Sequence, residues 1–537
     1  LMLLFYYIVI ILSIIGYGTI FNQKIINYRT NNLGHIGLLG VFSLILISYI
    51  TTQFLAHSKA FNLSILILGN ILFFNYFFKK KYSTKDIKIL FLTASIMFIS
   101  ILIYKNHDDF PYYHFPYILM LSENIHPIGI GKLNIGFNTH SSIFLLGSLF
   151  HLPGSNFNLF HLPVAYFMLF SNVFLLSFIF QQILKKEKLF FLFFAISSFI
   201  FINIFFYRLA EHGTDRSAMI LIIILLIHIL IIINRDYETD DLNQIKFLLI
   251  LLSIIISLKA LYILYVIFLI PIFFKIYNKK IFFDVIISNS FFLSLLLFVF
   301  VIVTNIFNSG CLLFPEAKTC IQNISWGMSL DKVEEYRIHY ENWAKAGAGA
   351  GYTNTDKINY IKDFYWFSNW VDKYFFNKVS DLLFSLAFII IILFLTFKEK
   401  KEKNEIKIKF KFLYFLTVFL FLIWFFNYPA LRYGGYNLFF ILFFLPFSIF
   451  IQKYLSYKNN FTKKVIFILI ITSLIFFGRN INRLIDENKK YSYNPFKNTE
   501  YRLEDSMFRY QNIFEKIKKD EQNKITEIYN NRYILIK

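Results

Sequence analysis

The sequence lacks the motifs that mark several large functional classes. It has no zinc-like spacing of its two cysteines and eleven histidines, no Walker loop and no long basic stripe with interleaved aromatic residues. ATP-driven transport and nucleic-acid binding are therefore disfavoured. The G-x-S-x-G nucleophile elbow is also missing, so a Ser-His-Asp hydrolase is not supported. No internal repeat stands out, which argues against a transporter built from inverted repeats.

Acidic residues are in short supply as well, with 33 Asp and Glu against 54 Lys and Arg. The basic residues lie mostly in short clusters between apolar runs, so membrane topology explains the excess better than a nucleic-acid partner. The first segment, Leu1–Phe21, has neither a basic n-region nor an A-x-A cleavage site. It is therefore predicted to be a membrane span rather than a signal peptide.

Apolar residues are abundant, at 57% of the chain, and they recur in runs long enough to cross a hydrocarbon core, which takes about 20 helical residues. The sequence therefore predicts an all-α polytopic membrane protein. The predicted spans, about fourteen in all, are 2–21, 35–56, 59–78, 89–104, 158–184, 188–207, 217–234, 244–258, 260–277, 281–307, 379–397, 410–427, 435–452 and 463–478.

One further apolar run, 143–152, is too short to span a bilayer, and we expect it to form a helix along the membrane surface. Cytoplasmic loops collect Lys and Arg, and with 143–152 counted as non-spanning all the basic loops fall on one side. These basic loops are 79–88, 185–188, 275–280, 398–411 and 453–464.

The loops poor in Lys and Arg, 105–142, 208–216 and 427–434, then face outward, as does the long loop 308–378. The same alternation puts the tail from Arg479 outside although it is rich in Lys and Arg. Long segments can cross a membrane despite their charge, so the side of this tail stays open.

The long outward loop contains both cysteines, Cys311 and Cys320. Cysteines nine positions apart on the oxidising side of a membrane favour a disulfide over two free thiols.

The candidate catalytic residues are Asp108 and Asp109, which stand where the span 89–104 leaves the bilayer. Two adjacent carboxylates can divide labour: one accepts a proton from an attacking hydroxyl or holds a divalent cation, such as Mg or Mn, while the other orients it. The alternative is a solvated start of a loop. Tyr112 and Tyr113 follow shortly after the two acids and are candidates for contact with substrate.

More ionisable residues lie on the same predicted face, in the short turn 207–216. We expect Glu211, Asp215 and Arg216 of this turn to contribute to substrate binding.

Two isolated cations, Lys259 and Arg432, are also predicted to lie near the outer interface. A cation there is costly unless it snorkels or meets an anion, and the natural anion is a lipid phosphate. Arg432 is the only charge in its outward loop, and arginine suits bidentate phosphate contacts. Snorkelling and topology remain the alternatives.

His140 stands at the predicted start of the surface helix, which Thr139 is expected to cap. It can bind a sugar or phosphate, help to hold a metal, or serve as a polar residue at the helix end.

The order of these features resembles the GT-C superfamily of integral-membrane glycosyltransferases, which includes protein mannosyltransferases and aminoarabinose transferases. The resemblance is carried by acids just after a span, then tyrosines, a glycine-containing middle, a surface helix and the next span. Here these are Asp108-Asp109, Tyr112-Tyr113, Gly129, Gly131 and Gly136, His140–Leu152, and the span from Asn158. The chain has Asn138-Thr139-His140 where better-known members have Lys-Pro-Pro, which leaves donor and acceptor open.

The resemblance implies a GT-C-like bundle with an outward first loop carrying a surface helix. It divides the chain into additional N-terminal transmembrane helices (1–88), a core (89–478) with a first outward loop (105–157) and a large outward loop (308–378), and a basic C-terminal tail (479–537). It also implies transfer of a sugar from a polyprenyl-phosphate carrier to a glycan, lipid or protein acceptor, with Asp108 or Asp109 as acid/base. The location would be a bacterial inner membrane, with the active face periplasmic or extracellular and in contact with membrane lipids.

Two other functions remain open at this point. A polymerase or ligase of lipid-linked glycans would also use outward arginines and acidic loops, with loop 308–378 as its catalytic element. A non-enzymatic lipid or polysaccharide transporter needs polar residues at mid-bilayer, and the predicted spans carry few beyond Lys259 and scattered Ser and Asn.

Overall fold

The structure of the chain is a computed structural model. It describes residues 2–28, 32–79, 82–155, 157–185, 188–235, 240–277, 279–349, 352, 356–398, 408–454, 460–497, 526–529 and 532–535.

Helices account for nearly all the regular structure in this part of the chain. The α-helices are α1 (Met2–Phe21), α2 (Leu33–Thr51), α3 (Lys59–Phe78), α4 (Thr84–Ile101), α5 (Phe115–Glu123), α6 (Ser142–Ser148), α7 (Leu162–Lys185), α8 (Leu189–Phe205), α9 (Arg216–Asn234), α10 (Asp240–Leu258), α11 (Ile270–Ile276), α12 (Lys280–Ile286), α13 (Asn289–Ser309), α14 (Leu330–Lys345), α15 (Lys357–Ile361), α16 (Phe367–Trp370), α17 (Ser380–Phe397), α18 (Lys411–Asn427), α19 (Gly435–Ile451) and α20 (Phe461–Tyr491). Two strands, β1 (Thr526–Tyr529) and β2 (Arg532–Leu535), pair antiparallel with Thr526 opposite Leu535.

Short 3₁₀ and π segments join or extend these helices. The π segments are Asn22–Ile26, Phe110–His114 and Val371–Val379. The 3₁₀ segments are Ile130–Lys132, Ile135–Asn138, Phe157–His161, Leu209–Glu211, Ala260–Leu269, Ala317–Thr319, Leu431–Tyr433 and Gln452–Tyr454.

The chain is an integral membrane protein with many helical spans. Helices occupy all fourteen predicted runs, and ten of them in the described residues are long and apolar enough to cross a membrane. Those ten contain α1, α2, α3, α7, α9, α10, α13, α17, α19 and α20. The predicted count of fourteen is not confirmed, because α4, α8, α18 and the run Ala260–Ile276 fall short in length or carry too many charges.

The helices differ in how much of their surface the protein covers. In α7 and α9, 94% of the apolar stretch is buried, so these two helices lie at the centre of the bundle. In α3 the share is 22% and in α13 and α17 it is 28%, and their exposed faces carry large apolar side chains. An exposed apolar surface of this kind suits contact with lipid.

The N-terminal helices pack closely on one another because glycines line their contacts. A Cβ at Gly16 would lie 2.0 Å from the carbonyl oxygen of Gly69, and one at Gly18 would lie 1.8 Å from that of Ile36. Small residues allow helix backbones in a membrane to approach in this way. Residues larger than glycine would force α1 apart from α2 and α3.

The spans contain buried polar pairs that hydropathy does not reveal. His35 and His228 share a hydrogen bond of 3.0 Å between their Nε2 atoms, and the side chains of Asn172 and Asn203 bond to each other. The expectation that the spans carry few polar groups is therefore too simple, because these side chains bond to each other inside the bundle.

The predicted surface helix is shorter than expected and does not lie on a surface. It is α6, and all seven of its residues are buried against neighbouring helices. Ser48 of α2 donates a hydrogen bond to the carbonyl of Leu145 at 2.7 Å, which ties α6 to the bundle. Thr139 is not its cap; the side chain of Ser141 accepts the hydrogen bond from the Ile143 amide instead.

The last described helix, α20, continues twelve residues past Arg479, where the basic tail was expected to begin. Glu487 accepts hydrogen bonds from the backbone amides of Tyr104, at 2.6 Å, and Lys105, at 3.1 Å. The start of the tail therefore lies at the same end of the bundle as the first loop. Residues 498–525 of the predicted tail lie outside the described residues.

Candidate functional site

A buried carboxylate, Asp215, organises the ionisable residues at one end of the bundle. It ends the turn between α8 and α9, which bends at Gly213 (φ 59°), and its side chain is 3% exposed. Both of its oxygens pair with cations: Lys259 binds Oδ1, and Nε of Arg432 donates to Oδ2 at 3.0 Å. Burial would raise the pKa of Asp215, but the two cations outweigh this effect and lower the pKa. The carboxylate is therefore ionised at neutral pH.

The two cations are held by breaks in helical structure. Lys259 is extended between α10 and the 3₁₀ segment Ala260–Leu269, and Arg432 lies in a 3₁₀ turn that ends at Gly434 (φ 96°). The aromatic ring of Tyr433 lies 5.0 Å from the Lys259 ammonium and 5.8 Å from the Arg432 guanidinium. Burial would lower the pKa of Arg432, but Asp215 and neighbouring groups raise it above its ordinary value. Charge pairing and cation–π contact thus fix two positive groups side by side.

The structure separates the two predicted catalytic acids. An Oδ2 atom of Asp109 lies 3.8 Å from the guanidinium of Arg432 and 3.6 Å from Nδ1 of His107, and the side chain is 35% exposed. Asp108 is exposed to solvent. Only Asp109 is therefore brought to the cations, and the two carboxylates do not form a pair that divides labour.

Asp109 also belongs to a group of possible metal ligands. The other members are His107 and His114, whereas the sequence predicted Asp108. Ligand atoms of His107, Asp109 and His114 lie within 4.8 Å of one another, and Nε2 of His114 is buried without a hydrogen-bond partner among the described residues. Two imidazoles and a carboxylate suit zinc-type ions better than Mg or Mn, which prefer oxygen ligands. The guanidinium of Arg432 opposes a cation here, since it lies near the same carboxylate.

The two tyrosines after the acids have different positions. Tyr113 is buried, and its ring lies so close to Gly136 that a Cβ there would be 2.4 Å from it. Burial, followed by the nearby Asp109, raises the pKa of the Tyr113 hydroxyl. Tyr112 is 39% exposed, and its carbonyl accepts a hydrogen bond from Asn134. Tyr113 supports the cluster from within, whereas Tyr112 faces the solvent side.

Next to the cluster lies a cavity of about 270 Å³. Lys259 reaches into it from the charge cluster, and its other walls come from the first loop, from loop 308–378 and from the segment around Tyr433. Residues on these walls include Thr139, Phe314, Glu316, Arg337, Tyr340 and Tyr428. Its mixture of aromatic, hydroxyl and charged groups is suited to a polar organic ligand.

The disulfide of the large loop forms part of this cavity. Cys311 and Cys320 are bonded, and the chain they enclose contributes the wall residues Leu313 to Glu316. The bond therefore limits the positions that this wall can adopt.

His140 lines the cavity but is already engaged in hydrogen bonds. Its Nε2 lies 2.6 Å from the hydroxyl of Tyr49 and its Nδ1 lies 3.3 Å from that of Tyr117. Burial lowers the pKa of His140 to about 3, with a smaller contribution from His126. Its imidazole is therefore neutral and links the N-terminal helices to the first loop.

Glu211 and Arg216 lie in the same turn region as Asp215 but have different partners. Glu211 pairs with Arg208 at 3.3 Å and with Arg483 of α20, so it anchors α20. Arg216 begins α9 and interacts with Tyr436 and Glu211. It is also close enough to Arg432 and His107 to interact with them electrostatically.

Sequence reasoning missed His107, His114 and Tyr433, although each directly adjoins a residue it selected. It also missed Arg337 and Tyr340, which lie on α14. Adjacency to Asp108 for His107, and to Tyr113 for His114, was an available signal. No local signal indicates that α14 contributes to the cavity wall.

The model of a protein family described as a domain of unknown function (DUF8201) matches residues 1–440. This match includes Asp109, Asp215, Lys259 and Arg432. No curated protein and no solved structure matches the chain.

Proposed function

Because the chain belongs to the family described as a domain of unknown function (DUF8201), we propose a function from the site itself. We infer that it is a membrane glycosyltransferase that moves a sugar from a polyprenyl-phosphate-linked donor to a glycan, lipid or protein acceptor. The observation that carries this proposal is the pair of cations, Lys259 and Arg432, held by buried Asp215 beside the accessible carboxylate of Asp109.

The cations support recognition of a phosphorylated ligand. Asp215 pairs directly with both cations, whereas Arg432 lies too far from the second carboxylate, Asp109, at 3.8 Å, to donate a hydrogen bond to it. An anion would complete this arrangement, and the planar guanidinium fits phosphate oxygens with two parallel hydrogen bonds. A lipid phosphate reaches such a site from the membrane, since its chain can stay among the apolar helix faces.

Asp109 supports the chemical step. Its carboxylate is partly exposed beside the cations and can accept a proton from an acceptor hydroxyl. The hydroxyl oxygen would then bond to the anomeric carbon while the bond from that carbon to the phosphate oxygen breaks. The electron pair of that bond leaves with the polyprenyl phosphate, whose charge Lys259 and Arg432 would stabilise.

The proposal includes the finer architecture and location. In it, α4, α8, α18 and the run Ala260–Ile276 complete a GT-C-like bundle of about fourteen spans. The site would face the outer side of a bacterial inner membrane, because α9 leads from Asp215 to the opposite end of the bundle, where the basic loops lie.

A lipid-linked glycan polymerase or ligase is the second candidate. It is favoured by one observation: loop 308–378 supplies Phe314, Arg337 and Tyr340 to the cavity wall. In that case shortening this loop would reduce activity more than a change at Asp109. A non-enzymatic transporter gains some support from the buried pair His35 and His228, but the charge cluster lies at the end of the bundle and not at mid-bilayer.

The proposal is tested by incubating membranes containing the full chain with radiolabelled polyprenyl-phosphate sugars and candidate acceptors. We expect label to appear in a covalently modified acceptor. Transfer of a whole glycan from a labelled lipid-linked oligosaccharide, with no transfer from polyprenyl-phosphate sugars, would favour the polymerase or ligase. Label that crosses the bilayer with the donor intact would favour the transporter and contradict the proposal.

A further inference from the structure

A second cavity, of about 580 Å³, lies at the far end of the bundle from Asp215. Ile233, near the last residue of α9, lines it, whereas Asp215 directly precedes the first residue of α9. The 19 residues of α9 separate the two by about 28 Å, close to the thickness of a bilayer core. This cavity is thus independent of the candidate site.

The cavity is built by α9, α11 and the start of α18. Lys275 of α11 donates hydrogen bonds to the carbonyl of Arg235 at 2.9 Å and to Oδ2 of Asp241 at 3.1 Å, so its charge is used in holding helix ends together. The side chain of Asn234 bonds to both the amide and the carbonyl of Lys409, at 2.6 and 3.0 Å. These contacts fix the chain before α18 against the end of α9.

The lining combines an apolar wall with basic residues. The wall includes Phe274 and Phe412, whose rings are 60% and 42% exposed. Lys409 and Lys411 also line the cavity, and both are exposed. Asp241 offsets the charge of Lys275. Among the residues that the structure describes, the remaining positive charge of the cavity lining comes from Lys409 and Lys411. A ligand that complements this lining has an apolar portion for the aromatic wall and an anionic group for the lysines.

We propose that this cavity binds an anionic phospholipid. Its phosphate would contact Lys409 and Lys411, and an acyl chain would lie along Phe274 and Phe412. The charge selects an anionic over a zwitterionic headgroup, and basic pockets between membrane helices on the positively charged side are suited to such headgroups. The exposed rings select a lipid over a soluble phosphate, because they gain most from contact with an acyl chain.

The test compares binding of phosphatidylglycerol and phosphatidylcholine to the purified full chain by native mass spectrometry. We expect the wild type to prefer phosphatidylglycerol. Each lysine near a headgroup contributes about fivefold in affinity, so Lys409→Gln with Lys411→Gln is expected to weaken phosphatidylglycerol about 30-fold. Phosphatidylcholine binding should change little.

The matched control is Lys463→Gln with Lys464→Gln. It removes the same charge from the first turn of α20, at the same end of the bundle but outside the cavity lining. This control is expected to keep the wild-type preference. Equal losses in both double variants, no preference in the wild type, or displacement of the lipid by glycerol phosphate would each overturn the proposal.

Discussion

At the residue scale, the pairing of charges distinguishes the two carboxylates of the cluster, Asp215 and Asp109. Asp215 is costly to bury unless cations accompany it, and its two oxygens have one cation each. The same pairing leaves Asp109 at the edge of the cluster, close to Arg432 but without a direct hydrogen bond from it. The cluster therefore contains two kinds of carboxylate. Asp215 is buried and holds the cations, whereas Asp109 is partly exposed and can take part in chemistry.

Removing the charge of Asp215 should destabilise the fold. Asp215→Asn removes the only carboxylate that pairs directly with both Lys259 and Arg432 among the described residues, leaving Asp109 at 3.8 Å from Arg432, and we expect unfolding to become easier by about 2 to 4 kcal/mol. This is below the cost for fully buried pairs, since Arg432 is 34% exposed. Asp108→Asn, at an exposed position, is the control and should change stability by less than about 0.5 kcal/mol. Denaturation in detergent measures both, and equal stability of the two variants would contradict this role.

Buried His140 should make stability depend on pH. Its pKa is lowered to about 3 in the folded chain, so between the ordinary value of 6.5 and about 3 the unfolded chain binds more protons. Stability should therefore fall as the pH drops below 6.5, by up to about 1.4 kcal/mol per pH unit from this residue. His140→Asn should show a shallower loss in thermal unfolding between pH 7 and pH 5. An unchanged slope would mean that His140 does not stay neutral.

Sequence reasoning selected Lys259 and Arg432 because isolated cations near the membrane interface are costly, and Asp215 because the short turn 207–216 is rich in ionisable residues. It could not separate Asp108 from Asp109, since their difference depends on a backbone turn and on Arg432, more than 300 residues away. The ion pair of Glu211 with Arg483 was missed for the same reason, because Arg483 lies on a distant helix.

At the element scale, hydropathy located all fourteen helical runs, but it did not predict how the helices pack or where α20 ends. The burial of α6 depends on α2 and other neighbours that no local pattern reveals. The extension of α20 was missed because its last turns are polar, and a polar segment after a span predicts a tail outside the membrane. The polar residues of these last turns contact the rest of the protein. Arg483 pairs with Glu211 in the turn 208–216, and Glu487 accepts a hydrogen bond from the backbone at the start of the first loop.

The contact of Glu487 with the first loop can be tested against its neighbour. Glu487→Gln weakens acceptance of two backbone hydrogen bonds, and we expect a loss of about 1 to 3 kcal/mol in stability. Asp486→Asn removes an equal charge from an exposed position of the same turn and should be near neutral. Thermal unfolding compares the stability of the two variants. Equal losses would show that stability depends on the charge of α20 and not on the hydrogen bonds of Glu487 to the first loop.

At the scale of the whole molecule, the bundle has two chemically different ends. One carries the charge cluster and its cavity, and the other carries the basic loops and a cavity lined by lysines. Helix α9 joins the two ends. The alternation of basic loops predicts which end faces the cytoplasm, whereas the assembly of the cluster from four separate segments cannot be derived from sequence order.

The orientation can be measured by thiol labelling in intact cells. The described residues contain no free cysteine, since Cys311 and Cys320 are bonded. A membrane-impermeant maleimide should therefore label Asp108→Cys but not Lys463→Cys, which lies at the basic end. The reverse pattern would place the charge cluster in the cytoplasm and contradict the proposed topology.

The proposed catalytic role of Asp109 is tested most directly by comparing sugar transfer by wild type, Asp109→Asn and Asp108→Asn in one preparation, with polyprenyl-phosphate donors and equal amounts of inserted protein. Loss of a general base typically costs 100-fold or more, roughly, so Asp109→Asn should lose nearly all transfer while still inserting normally. Asp108→Asn should retain most of it. Full transfer by Asp109→Asn would contradict the account, because the carboxylate beside Arg432 would then have no part in the reaction.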